Sequence, residues 1–556
     1  MNSFLNRFKP MDIAKFAIFI LVVGFVFIIP VLTLLKMSIT GEEGITLANY
    51  ATIFADPRTN KAIVNTIVIS VLSTIIAIVF GSLIAFLVAY TNISNKKIVE
   101  ILVLSPYIIP SYIITLSWSN ILSEKGFING IIEKMGLPII NIYSVGGIVI
   151  VMGICNIPVV YLMVVNMLRK IPKDMELAAR TSGYGIVDVL RKITIKQVSP
   201  AIASGGILAF LAAIDNFSIP AFLGISSGIS VLSTYIYEKA ISFGPSSFNI
   251  AAALSVILSI IALAGSFVQI KFVAKGSQME SVKEDYSVRV FFSERNVKII
   301  NVVLMGVLVI VNIVPLLCMI ISSFYGNYGS IFDLSNLTLE NYQFVLTNSG
   351  VAKAASNSVF LALITCVICI IVGTAIAYMK VRKNSKLASF FESSAALTYA
   401  LPGIVLALAM IFHWGKFNGV YGSVKILVIA YITRYMVLQI KGSSTALLSV
   451  ESSLEEAAQI SGSNMFNTWR RVIVPLIAKP VLASSFLIFV SSCSELTLSS
   501  ILASAGTKTI GLTIFNLKQS GDYNLAAAMS SVIVIFVIVA YAASNFLKME
   551  RKVKKV

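Results

Sequence analysis

Twelve runs of about 20 apolar residues, spread from one end of the chain to the other, decide what this sequence can become, because a run of that length is what a helix needs to cross a hydrocarbon layer. They lie near 16–37, 62–90, 98–120, 144–167, 198–222 and 249–274, then near 299–323, 355–379, 387–413, 421–440, 477–502 and 524–547. Of the 556 residues 57% are hydrophobic and 12% charged, an excess of apolar surface that a water-soluble chain has no use for. In lipid every backbone N–H and C=O must find an internal partner, so these runs are expected to be helices. The fold class expected is an all-α membrane protein with twelve transmembrane helices.

The net charge of +18 raises the question of a polyanionic partner, and its distribution answers it. The basic residues gather at Arg7, Lys9 and Lys15, Lys96–Lys97, Arg169–Lys170, Arg191–Lys192, Lys380–Lys386, Arg470–Arg471 and Lys548–Lys555. All of these fall on one side if the spans alternate from a cytoplasmic N-terminus. The opposite loops (38–61, 121–143, 223–248, 324–354) carry acids and bases in near balance. This is the positive-inside pattern, so both termini are expected in the cytoplasm of a cell-membrane protein. The partner of the charge is the bilayer, not a nucleic acid. The first apolar run is long and lacks a small-residue cleavage site, so it is expected to be retained. Cys155, Cys318, Cys366, Cys369 and Cys493 all lie within apolar runs and are read as small apolar filler.

The chain repeats itself. Thr46-Leu47-Ala48-Asn49-Tyr50 returns as Thr338-Leu339-Glu340-Asn341-Tyr342, and Asn65, Gly81 and Pro110 return as Asn357, Gly373 and Pro402, all at an offset of 292. Gly183 returns as Gly462 at 279, and Asn249-Ile250-Ala251-Ala252-Ala253 as Asn524-Leu525-Ala526-Ala527-Ala528 at 275. Each copy holds six spans, an even number, so the copies keep one orientation: two parallel six-helix repeats related by an axis along the membrane normal. The division expected is 1–275, a polar cytoplasmic linker at 276–297, and 298–556.

The longest cytoplasmic loop of each repeat lies between its fourth and fifth spans, at about 168–197 and 441–476. The second reads Ser453-Leu454-Glu455-Glu456-Ala457-Ala458-Gln459-Ile460-Ser461-Gly462 and continues to Val472-Ile473-Val474-Pro475. Ser453 with Glu456 three residues on has the spacing of a capping box, which predicts a short helix. Ala457 and Ala458 keep one face small, Gly462 allows a turn at positive φ, and a second short helix is expected at about 465–472. The first loop repeats the plan with Asp174, Glu176, Ala178, Ala179 and Gly183, then Ile193-Thr194-Ile195. A helix–glycine–helix elbow at the membrane surface can dock on a soluble partner and move with it.

A Glu-Ala-Ala segment with glycine six residues after its glutamate, followed by an Ile-x-Leu-Pro-like end, resembles the signature of type I ABC importer permeases. Glu456, Ala457, Ala458, Gly462 and Pro475 match it directly. The first copy departs at Leu177, where the glutamate is expected, and at Lys196, which replaces the proline. The resemblance covers nearly the whole chain and implies the type I ABC importer permease fold. It implies that Glu176, Ala178, Ala179, Gly183, Glu455, Glu456, Ala457, Ala458 and Gly462 couple to two copies of an ABC ATPase subunit. It further implies that an extracytoplasmic binding protein delivers the substrate. The two-in-one arrangement and the stretch Asp215 to Gly224 look most like fused ferric-iron permeases, with thiamine, polyamine and phosphonate permeases as relatives. An ion-gradient-driven secondary transporter, the rival of another class, would share the span count but lack paired elbows.

Asp215 and Glu495 are expected at corresponding positions of the two fifth spans, 280 residues apart, beside Asn216 and Ser494. Ionisable residues at such depth are costly and usually face a polar interior, so the four are pathway candidates; the competing reading is a structural role at the helix bend near Pro220. The single histidine, His413 beside Trp414, is read as an interfacial anchor, and Pro106, Pro110 and Pro402 are expected to bend or break the third spans. The sequence holds no Gly-x-x-x-x-Gly-Lys-Ser/Thr loop, no zinc-type ligand spacing and no nucleophile–base set. The chain is therefore expected to be no enzyme and to bind no cofactor of its own, with ATP and magnesium held by the partner ATPase.

Overall fold

The computed structural model describes residues 19–41, 44–124, 126–242, 244, 246–276, 284–326 and 334–553, with side chains described except at 270–276, 334 and 540–553. Arg7, Lys9, Lys15, the side chains of the tail lysines 548–555, part of the linker and part of the 324–354 loop therefore lie outside what is described. Helices dominate; among the described residues the named strands are the two-residue pair Thr40–Gly41 and Gly44–Ile45.

Among the described residues eight helices are long and apolar enough to cross a membrane, among them Pro57–Tyr90, Val145–Lys170, Ser349–Val381 and Met465–Cys493. Two bent pairs, one in each third span, raise the number to ten. Two of the twelve sequence runs do not meet that measure: Val424–Leu448, with Arg434 and Lys441 in its polar half, and the last helix, whose described apolar part is Tyr523–Val539. In the second repeat Lys386–Ala400 and Gly403–Trp414 meet at 113°. Proline explains the break: Leu401 is extended (φ −75, ψ 140) and Pro402 (φ −54, ψ 140) offers no N–H to continue the ladder. Arg434 takes up the freed carbonyls, its Nη1 donating to Leu401 O at 2.6 Å and Tyr399 O at 3.4 Å. Pro110 starts a new helix in the same way, at φ −55 and ψ 137. Pro106 breaks nothing: it stays inside Lys96–Ile108.

The contacts divide the chain into two compact units, Met1–Ala55 with Ile236–Ser259 and Ser349–Thr513, and Asp56–Tyr235 with Ile260–Asn348 and Ile514–Val556. In the former, Val23 and Phe27 of the first span sit in one core with Leu361, Met410, Tyr431 and Ile440 of the second repeat. In the latter, Leu308 of the seventh span sits in one core with Val88, Val160, Tyr161 and Val198 of the first repeat. Each repeat thus completes its core with the other repeat's first span.

Repeated residues make repeated bonds. Asn49 Nδ2 donates to Ser38 O and Thr40 O at 3.0 and 2.9 Å, and Asn341 Nδ2 to Ser323 O and Tyr325 O at 2.9 Å each. These side chains cap the carbonyl ends of the first and seventh spans, where no further helical N–H is available. Gly81 and Gly373 let neighbouring helices touch: a Cβ would lie 2.9 Å from Val160 Cβ at the first and 2.9 Å from Gln439 Cγ at the second. Gln439 is fully buried yet satisfied, accepting from Ser485 Oγ at 2.8 Å and donating to Ser443 Oγ at 3.1 Å.

Candidate functional site

Each elbow is a short helix closed by a glycine. The first runs Lys173–Thr181 and the second Ser453–Ile460. Both end in the same backbone figure: Tyr184 N donates to Ala179 O at 3.2 Å and Gly183 N to Arg180 O at 3.1 Å, while Ser463 N donates to Ala458 O at 3.0 Å and Gly462 N to Gln459 O at 2.9 Å. This six-to-one and five-to-two pair needs its central residue in the left-handed region, and Gly183 and Gly462 have φ of +92 and +81. The expected positive-φ turn is there, in both copies. The expected capping box is not. Ser452, not Ser453, precedes the helix and makes no side-chain cap; Ser453 Oγ donates to the Glu451 carboxylate at 3.2 Å. Nor is 465–472 a separate helix. Met465–Thr468 passes through a π turn, Trp469–Ile473, directly into Val474–Cys493. The first repeat does the same through Leu190–Thr194, so Lys196 in place of proline does not alter the entry into the span.

Within the helices the residues sort by face. Glu176 and Glu455 are each 6% exposed, whereas Leu177 and Glu456, one residue on, are exposed with Ala178 and Ala457; Ala179 and Ala458 are half-buried. Glu176 Oε1 accepts from Tyr90 Oη and Thr194 Oγ1, both at 2.7 Å, and its Oε2 pairs with Arg289 Nη1 at 3.1 Å. Glu455 Oε2 accepts from Tyr378 Oη at 3.1 Å and its Oε1 from Arg382 Nε at 2.7 Å. Arg382 also donates to Leu447 O and Val450 O at 3.1 and 2.6 Å. A buried carboxylate is tolerable only when paired and hydrogen-bonded in this way. The first copy therefore keeps the buried glutamate; what it lacks at Leu177 is the outward one. Sequence reasoning missed Tyr90, Tyr378, Thr194, Arg289 and Arg382. A tyrosine near the end of each second span, Tyr90 and Tyr378, four residues apart against the offset of 292, was the available signal.

Outward, the elbows show apolar side chains with little covering them. Val187 and Phe466, at an offset of 279, are 76% and 71% exposed, and Leu177, Ile186, Leu454 and Ile460 are exposed too. A cavity of about 180 Å³ beside the first elbow is lined by Lys173, Leu177, Arg180, Ile186 and the linker residues Arg289 and Phe291.

The pathway candidates are placed at helix breaks. Asp215 ends Ile195–Asp215, and Asn216 Oδ1 accepts from Ile219 N at 2.9 Å to start Ser218–Leu223. Ser494 follows Val474–Cys493, and Glu495 Oε1 accepts from Leu498 N at 3.0 Å to start Thr497–Leu502. The matching caps correct the register: Glu495 corresponds to Asn216, and Ser494 to Asp215. Glu495 Oε2 also accepts from Tyr435 Oη at 2.5 Å. His413 is 6% exposed and packs its ring on Phe25 and Trp414 with centroids 4.7 and 5.0 Å apart. All five cysteines are free thiols, and among the described residues no three His, Cys, Asp or Glu side chains gather as a metal site.

With this geometry in view, comparison with known proteins is specific. The family described as binding-protein-dependent transport system inner membrane component matches twice, over residues 77–272 and 369–549. A ferric transport system permease protein of Actinobacillus pleuropneumoniae is 24% identical over 85% of this chain and 69% of its own length. An Fe(3+)-transport system permease protein of Haemophilus influenzae is 23% identical over 86% of this chain and 88% of its own. A putative 2-aminoethylphosphonate transport system permease protein of Salmonella typhimurium is 24% identical over 44% of this chain and 86% of its own.

Proposed function

Because this chain belongs to the family of binding-protein-dependent transport system inner membrane components, we propose that it is a pair of permease units in one chain, carrying ferric iron into the cytoplasm. A separate ABC ATPase drives it, one copy beneath each elbow, and an extracytoplasmic binding protein delivers the iron. The observation that carries this reading is the doubled elbow: two glycine-closed helices, each locked inward by a buried glutamate and each presenting uncovered apolar side chains outward. A permease driven by an ion gradient has no need of such a pair. ATP binding brings the ATPase copies together, the elbows move with them, and the continuous helices beyond the π turns transmit that movement into the fifth spans. Orientation follows the basic residues, with both termini and both elbows in the cytoplasm.

Iron is the substrate reading supported by the names of the relatives that span both halves, and a phosphonate-type substrate is the alternative that the half-length relative raises. Asp215, Asn216, Ser494 and Glu495 are the proposed pathway residues, at the two breaks that end the fifth spans. The test is uptake of labelled ferric iron in a deletion strain and its complemented control, with unlabelled thiamine, polyamine and 2-aminoethylphosphonate as competitors. Loss of uptake that ferric iron alone competes for supports the reading; intact iron uptake moves the substrate to one of the relatives' classes.

A further inference from the structure

We infer that the linker between the repeats is a working part of the first elbow, and that Arg289 is the positioning residue that holds its docking surface. This rests on the reading of the elbows as the ATPase-coupling elements.

The two repeats solve one problem in two ways. In the second, the helix Thr374–Val381 continues past Tyr378, so Arg382 arrives four residues later and meets Glu455 from within the same repeat. In the first, the offset of 292 puts Tyr90 where the second has Arg382; the helix Pro57–Tyr90 ends there and Thr91 is extended (φ −106, ψ 168). The end of the helix leaves the Tyr90 carbonyl without a helical N–H, and the linker takes it. Arg289 N and Val290 N donate to Tyr90 O at 2.9 and 3.0 Å. Asn92 and Phe292 exchange two bonds, Phe292 N to Asn92 Oδ1 at 2.9 Å and Asn92 Nδ2 to Phe292 O at 3.1 Å. Upstream, Asp285 N donates to Arg169 O at 2.6 Å.

So seated, the linker delivers one side chain inward. The Arg289 side chain is 5% exposed. It pairs with Glu176, donates to Tyr90 Oη at 2.8 Å and to Ile171 O, reaches Asp285 Oδ2 at 3.3 Å, and lies 4.6 Å over the Tyr90 ring. A segment that only joined two halves would have no reason to bury a guanidinium, which is costly to desolvate and tolerated where each donor is used. Arg289 brings to Glu176 what Arg382 brings to Glu455. The arginine of the first elbow has moved out of its repeat and into the joint.

The experiment uses the full-length permease in lipid nanodiscs, read by hydrogen–deuterium exchange of the two elbow helices. Arg289→Ala is expected to speed exchange across 173–181 about tenfold or more while 453–460 stays at the wild-type rate; Arg382→Ala is expected to do the converse. Arg289→Lys, which keeps the charge but not the fork, falls between, and serves should the alanine variant fail to insert. Wild-type exchange at 173–181 in both Arg289 variants overturns the inference. A second arm pulls the tagged permease from its native membrane and reads the ratio of ATPase subunit to permease. Loss of one of two docking points lowers that ratio by about half or more in Arg289→Ala and in Arg382→Ala. Loosened elbows with an unchanged ratio in both variants overturn the coupling reading itself. A ratio that falls only in Arg382→Ala overturns the role given to Arg289.

Discussion

Glu455 turns its carboxylate away from the elbow surface and onto Tyr378, whose hydroxyl donates to it at 3.1 Å, while Glu456, the next residue, points outward. Two adjacent glutamates in one short helix therefore serve different masters. The inner one ties the elbow to its own helices; the outer one faces away from the fold.

Separating them is the first test. Glu455→Ala strands Arg382 in a buried site, and breaking such a pair costs about 3–5 kcal/mol. Thermal unfolding of the purified permease should shift down accordingly. Glu456→Ala should change stability by no more than about 0.5 kcal/mol, as exposed substitutions usually do, yet weaken recovery of the ATPase in a pull-down. Equal loss of stability in both would contradict the division.

At Gly462 the constraint is conformation and not room, since a Cβ there meets nothing within 4 Å and φ is +81. Gly462→Asn should cost little, because asparagine visits the left-handed region, whereas Gly462→Val should cost about 1–2 kcal/mol or more. Uptake should follow the same order, with membrane insertion unchanged. At Gly81 the constraint is room: a Cβ would lie 3.0 Å from Ile157 O, so Gly81→Val should reduce the yield of folded protein, and Gly24→Ala, with nothing within 4 Å, should not.

Lys518 gives a pH signature. It lies in Ile510–Gln519, outside the helices that qualify as spans, is 3% exposed, donates to Phe222 O, and has the Tyr143 ring 5.6 Å away. Burial pushes its pKa down from 10.5 to about 8. Between those values the unfolded chain holds a proton that the folded chain has shed, so stability rises with pH through that window. The gain reaches about 3 kcal/mol at its upper end. The difference in unfolding free energy between wild type and Lys518→Met, measured from pH 7 to pH 10.5, should carry that slope; a flat difference would refute it.

Glu495 caps Leu498 N and accepts from Tyr435 Oη. Glu495→Ala removes both and should cost about 1 kcal/mol or more. Glu495→Gln keeps an acceptor for the cap and removes the charge. It should leave the unfolding temperature within a few degrees of wild type and lower cation uptake several-fold, read in the same vesicles. Unchanged uptake would leave Glu495 as a cap alone.

What the sequence made legible were features set by local chemistry. Gly183 and Gly462 announce a positive φ, Pro110 and Pro402 announce a break, and Asn49 and Asn341 recur because each closes the same helix end. What it hid needed a partner far along the chain. Nothing around Glu455 says that it, and not Glu456, faces inward, because the choice depends on Tyr378 some 77 positions earlier. Arg289 looked like one more linker cation, and its burial depends on where the Tyr90 helix stops. The match of Asp215 to Glu495 failed by one residue because acidity was compared, whereas the bond that recurs is a cap, and asparagine caps as well as glutamate.

The exchanged first spans have a consequence for how this protein is made. As the chain leaves the ribosome, the helices of the first repeat enter the membrane before Leu308 exists to complete their core. The seventh span must arrive before that core is finished, and the first span must wait still longer for Leu361 and Met410. Each half-built core thus keeps one face in the lipid until the joint between the repeats has been translated.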